Sequence, residues 1–136
     1  MSAAKISVAK KAVKYIESKI SRETVLGIGT GSTVNFFIEE LGNLKHHFKG
    51  AVSSSNASSE LLNNKGIEVF SLNDVNEVEF YIDGADEVTP ENFLINDVVK
   101  SLKSRGHYVE VLTAIPNYPE GKFYKGFNFF NKHTEI

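Results

Sequence analysis

Apolar residues recur at Ile6, Ala9, Val13, Ile16 and Ile20, with Lys10, Lys11, Lys14 and Glu17 between them. This spacing predicts an amphipathic helix over residues 5–20 with its lysines on a solvated face. The pattern then changes to a continuous run, Thr24-Val25-Leu26-Gly27-Ile28, which reads as a buried strand. Helical spacing returns at Val34, Phe37, Ile38 and Leu41 and closes near Gly42. Gly50-Ala51-Val52 predicts a second strand. Ser53 to Asn56 can cap a helix over 57–65, with Leu61 and Leu62 on its apolar face and Gly66 at its end. Ile67–Phe70 and Glu79–Ile82 predict two further strands around a turn at 73–76. Thr89-Pro90-Glu91 has the cap, the proline and the acid of a helix start. Leu94, Ile95, Val98, Val99 and Leu102 give that helix one face, and Gly106 stops it. Tyr108–Leu112 predicts a fifth strand.

Strands alternating with helices define an α/β fold. The expected architecture is a three-layer, Rossmann-like domain, with a mostly parallel sheet of about five strands and helices on both faces. It would occupy the whole chain, 1–136, as a single α/β domain.

Composition narrows the chemistry. Cysteine is absent among the 136 residues, which excludes disulfides, thiolate nucleophiles and Cys-based metal sites. No apolar run approaches the ~20 residues needed to span a bilayer, and the N-terminus has no signal-like core, so the expected setting is cytoplasmic, away from membranes. A net charge of −2 gives no electrostatic case for nucleic acid. Residues 1–88 hold 9 Lys+Arg and 12 Asp+Glu, whereas residues 89–136 hold 6 and 5. Six of the 15 aromatics fall after Ile115, in a segment without periodicity. From about residue 114 the chain therefore reads as an irregular aromatic arm. Its rings are expected to fold back on the sheet edge or to bury in a second copy, giving a homodimer.

Three stretches carry candidate chemistry, each after a strand. Gly29-Thr30-Gly31-Ser32-Thr33 leads into a helix, where free N–H groups and hydroxyls can hold phosphate. It has neither the lysine of a Walker loop nor the third glycine of a dinucleotide fingerprint, so a sugar phosphate is favoured over ATP or NAD. A tight turn that merely needs glycine explains the stretch equally well. Asp83-Gly84-Ala85-Asp86-Glu87 gathers carboxylates suited to accepting sugar hydroxyls or moving protons; a solvated acidic turn is the plainer alternative. Ser53–Ser59 reads first as helix capping and second as the rim of a sugar pocket. His46, His47, His107 and His133 have no partners at ligand spacing, so no metal and no cofactor is expected.

Residues 1–88 closely resemble the N-terminal part of ribose-5-phosphate isomerase A through VLGIGTGSTVNFFIEELG, AVSSSNASSELLNNKGIEVFSLNDV and FYIDGADEV, in order. The resemblance implies that Thr30, Gly31, Ser32 and Thr33 bind the phosphosugar. It implies that Asp83, Gly84, Ala85 and Asp86 form a second substrate loop, with Asp83 and Asp86 near the reacting carbons. It also implies an isomerisation of ribose 5-phosphate and ribulose 5-phosphate, in which a glutamate base moves a proton between C1 and C2. That glutamate follows a lysine- and glycine-rich loop which this chain does not show after Glu87-Val88.

Residues 90–127, PENFLINDVVKSLKSRGHYVEVLTAIPNYPEGKFYKGF, resemble the N-terminal region of bacterial two-domain sugar transferases. The two resemblances together imply a chimera, engineered or recombined, joined near Pro90. It would be isomerase-like over 1–88, glycosyltransferase-like over 89–136, and without a complete catalytic site or turnover. The alternatives are a working ribose-5-phosphate isomerase and a non-catalytic phosphosugar or anion-binding module.

Overall fold

The structure, a computed structural model of the 136-residue chain, describes residues 2–84, 104–106, 110–111 and 134–135. The chain divides into two compact units, Met1–Gly84 and Ala85–Ile136.

In the first unit the predicted elements follow in order. Helix α1 spans Ser2–Glu17, strand β1 Val25–Ile28, helix α2 Ser32–Leu41, strand β2 Gly50–Ser53, helix α3 Asn56–Asn64, strand β3 Val69–Phe70 and strand β4 Phe80–Ile82. The strands form one parallel sheet in the order β3-β2-β1-β4. The fold is therefore α/β and Rossmann-like. β1 is central because it is apolar on both faces, and all four of its residues are buried. The chain leaves β1 through α2 to β2 on one side, then returns past β3 to place β4 on the other. β1 and β4 thus flank the point where strand order reverses, and ligands of open α/β sheets bind beyond strand C-termini at such a point.

The sheet has two distinct faces. Leu26 and Ile28 point into a core with Val34, Phe37, Ile38 and Leu41 of α2, Leu62 of α3, and Ala9 and Ile16 of α1. Burying each large apolar side chain contributes about 1.5–3 kcal/mol. The alternate residues of β1, Val25 and Gly27, face the other way, as strand periodicity requires. On that face the Tyr81 ring lies over Gly27, where a Cβ would come within 2.5 Å of Tyr81 Cδ2. The Phe70 ring lies likewise over Gly50, with a corresponding distance of 2.5 Å. Glycine in a central strand is costly on its own, and close approach of a neighbouring ring is its reason here.

α1 starts three residues earlier than its periodicity predicts and ends at Glu17, leaving Ile20 in the following turn. Gly42 keeps a helical conformation and passes into a 3-10 turn over Gly42–Leu44, while Gly66, at φ +74°, ends α3 as expected. Lys10, Lys11 and Lys14 are exposed.

In the second unit, strand β5 (Glu110–Val111) pairs antiparallel with strand β6 (Thr134–Glu135) in a two-stranded sheet. The segment expected as the parallel sheet's fifth strand thus pairs with the chain's last residues, a partner that a short apolar pattern does not reveal. Strand β6 also gives the end of the expected irregular arm a regular pairing. Gly106 has φ +83°, the left-handed conformation of a stop signal. The expected helix from Thr89 to Leu102 and the aromatic residues of the arm lie outside the described residues. No described helix is long and apolar enough to cross a membrane.

Candidate functional site

The C-terminal ends of β1, β4 and β2 deliver three loops to one edge of the sheet. From β1 comes Gly29-Thr30-Gly31, running into α2. Gly31 is the N-cap of α2 at φ 115° and ψ 168°, a region closed to residues with a Cβ. It supplies no side chain to cap the helix, and the first turn carries no acid. The first intrahelical bond runs from Asn35 N–H to the Gly31 carbonyl at 2.9 Å. The N–H groups of Ser32 and Thr33 precede it, within the first turn whose amides have no intrahelical acceptor. A Cβ built on Gly31 meets nothing within 4 Å, so the helix start faces open space. Partial positive charge and free donors there favour an anion.

From β4 comes Asp83. One carboxylate oxygen, Oδ1, accepts from the backbone N–H of Thr30 at 3.3 Å and of Gly84 at 2.8 Å. The other, Oδ2, accepts from the Tyr81 hydroxyl at 3.1 Å. Gly29 is glycine because the Asp83 carboxylate packs against it, and a Cβ there would collide with that group. The Gly29 N–H also donates to the Ile82 carbonyl at 2.7 Å, tying the two strand ends together. Burial, reinforced by the charge of Asp83 and by the hydrogen bond to it, pushes the Tyr81 hydroxyl above its usual pKa of 10.0, with a Ser54 hydrogen bond opposing.

From β2 comes the serine run. Ser55 caps α3, its hydroxyl accepting from Ser58 N–H at 3.2 Å. Ser58 is fully buried and donates to the Gly29 carbonyl at 2.7 Å. Ser55 Oγ also donates to Thr30 Oγ1 at 3.4 Å. The run is therefore capping, and it braces the glycine loop from beneath.

Of the residues singled out from sequence, Thr30, Gly31, Ser32, Thr33, Asp83 and Gly84 come together at this edge. Ala85 and Asp86 lie outside the described residues. Two residues escaped the sequence reading. Lys5 of α1 donates to Ser32 Oγ at 2.6 Å, placing an ammonium at the start of α2. Tyr81 reads as one more apolar strand residue, and only the alternation that sets it on the same side as Asp83 hints at its contact with that carboxylate. Among the described residues no His, Asp and Glu cluster has the make-up of a metal site. A separate cleft of about 580 Å³, lined by Arg22, Lys45, His46, Phe48 and Lys49, lies among residues that precede β1 and β2, away from these loops.

An open helix start and a fixed aspartate thus meet at the strand ends of this α/β sheet, where donors and a carboxylate face the same edge. Comparison with known proteins finds its similarities within one family. Residues 50–104 match the family model of ribose 5-phosphate isomerase A (phosphoriboisomerase A). The chain is 49% identical over 87 residues to ribose-5-phosphate isomerase A of Mannheimia succiniciproducens, covering 64% of this chain and 38% of that one. A crystal structure of ribose 5 phosphate isomerase A from Neisseria gonorrhoeae is similar with a TM-score of 0.58 and 43% identity, over 68% of this chain and 41% of the other. A D-ribose-5-phosphate isomerase solved in complex with phospho-erythronic acid is similar with a TM-score of 0.61 and 31% identity, over 77% and 46%. The chain thus spans about two fifths of the length of the relatives it matches.

These findings overturn the chimera. The isomerase match runs through to residue 104, across the join expected near Pro90 and into the segment assigned to a sugar transferase. The structural similarity likewise covers up to 77% of the chain, where the isomerase-like part was expected to stop at residue 88. The transferase-like and engineered readings are withdrawn with it. So is the expectation of an inactive hybrid, since isomerase relatives at 47–49% identity favour the isomerase alternative.

Proposed function

We propose that the chain acts on ribose 5-phosphate as an aldose–ketose isomerase, forming ribulose 5-phosphate. The observation that carries this is the meeting of an uncapped α2 N-terminus with the fixed Asp83 carboxylate at the strand-order reversal. The similarity to isomerases over the same residues supports it.

In this reading the phosphate rests on the amides of Ser32 and Thr33 and the hydroxyls of Thr30, Ser32 and Thr33. Lys5, which donates to Ser32 Oγ, adds a positive charge beside it. Asp83 and the Gly84 backbone receive sugar hydroxyls near C1 and C2; Ala85 and Asp86 are assigned to the same motif by the sequence resemblance alone. Isomerisation takes a proton from C2 of the open-chain aldose and returns it at C1 through an enediolate, while the O2 hydroxyl proton passes to O1. The glutamate loop that the resemblance implies is not seen after Glu87-Val88, so in sequence Glu87, next after Asp86, or Glu91, five residues past it, is the replacement base to test for this transfer. General-base catalysis contributes roughly 10²–10⁴-fold.

The test is formation of ribulose 5-phosphate by the purified full chain. Turnover is expected, with a Glu87→Gln, Glu91→Gln double variant about 10²–10⁴-fold slower. A double variant with full activity would remove these carboxylates from the mechanism. A wild-type chain no faster than buffer would end the isomerase reading.

A further inference from the structure

We infer that Tyr81 is a positioning residue that orients the Asp83 carboxylate toward the sugar from the sheet face opposite α2. This rests on the reading of Thr30–Thr33 and Asp83 as a sugar-phosphate site.

Two backbone donors, Thr30 and Gly84, fix only Oδ1 of Asp83. A carboxylate held by one oxygen still swings about its last torsion, which is intrinsically broad. The Tyr81 hydroxyl, donating to Oδ2 at 3.1 Å, removes that freedom. Tyr81 and Asp83 stand two residues apart along the β4 direction, so both side chains leave on the same side. The phenol reaches Oδ2 because its ring lies flat on the sheet, and Gly27 makes room for it: a Cβ there would come 2.5 Å from Tyr81 Cδ2 and 3.0 Å from Val78 Cγ1. The glycine in the middle of the most buried strand is thereby explained. The ring is 46% exposed, so packing alone is a weak reason for an aromatic at this position, whereas the hydroxyl has a defined partner.

Tyr81→Phe deletes the hydroxyl and keeps the ring. In the ligand-free full chain, amide hydrogen exchange at Thr30 and Gly84 is expected to quicken about tenfold, the scale of one hydrogen bond to a charged group. Exchange at Asn35 and Ser59, whose amides bond to backbone within α2 and α3, should not change. Unchanged exchange at both Thr30 and Gly84 overturns the inference. In titrations, the variant should bind ribose 5-phosphate about tenfold more weakly and inorganic phosphate equally well. Equal weakening for both ligands marks a general structural defect and overturns it. In an Asp83→Asn background, Tyr81→Phe should add nothing, and a full further loss there also overturns it. A wild-type chain that responds to neither ligand contradicts the sugar-phosphate site instead. Exchange at Thr30 and Gly84 then decides the Tyr81–Asp83 linkage by itself.

Discussion

A methyl group at Gly29 would occupy the space of the Asp83 carboxylate, so Gly29→Ala is expected to displace Asp83 and reduce isomerase turnover by at least tenfold. Kinetic comparison with wild type checks this, and a fully active variant would show that Asp83 need not sit where it does. Ser58 makes a different kind of contribution. Its buried hydroxyl satisfies the Gly29 carbonyl, and Ser58→Ala is expected to cost about 1–3 kcal/mol, read as a lower urea midpoint at unchanged slope. Tyr81 gives a prediction with a sign. Its pKa is raised above 10.0 in the folded chain, so the associated stability is present below pH 10 and lost as pH rises through the folded value. Asp83→Asn removes the neighbouring charge and should move the Tyr81 titration down toward 10, followed by ring resonances in NMR. At this scale the glycines and hydroxyls of 29–33 were legible as a motif. Lys5 was not, because its position depends on α1 packing across α2, 27 residues away along the chain. Tyr81 was hidden for a related reason: its apolar ring satisfies the strand pattern and conceals a polar contact.

Two helices begin at the same sheet edge and differ in how their first amides are satisfied. α3 is capped by Ser55, and Ser55→Ala is expected to cost about 1 kcal/mol in thermal or urea unfolding. α2 starts at a glycine without a side-chain cap. Its own stability is therefore expected to rise on binding anion: inorganic phosphate at 100 times its dissociation constant should add about 2.7 kcal/mol, visible as an increase in melting temperature. The elements of the first unit were readable because each has one dominant cue. Val34, Phe37, Ile38 and Leu41 are the buried face of α2, the same four residues the helical spacing predicts. β3 is shorter than predicted, reduced to Val69–Phe70 at the sheet's edge, where pairing on one side only supports less of the strand. The segment around Glu110 and Val111 misled, since a short apolar run identifies a strand and not its partner.

For the molecule as a whole, the three ordered motifs within residues 1–88 carried the correct resemblance. The error lay in what followed. Residues 90–104 have the helix-start signals and apolar spacing shared by many α/β proteins, and such a pattern fits two families at once. Its agreement with a transferase segment was thus weak evidence of a second ancestry, and the isomerase match across 50–104 removes it. The central claim is that the strand C-termini form the ribose 5-phosphate site. Backbone-amide NMR titration of the full chain with ribose 5-phosphate tests it most directly. The largest shifts should fall on Ser32 and Thr33, followed by Thr30 and Gly84, with Lys45, His46 and Lys49 unmoved. Shifts confined to the cationic cleft around Arg22, Lys45 and Lys49, or no shifts at millimolar ligand, would contradict it.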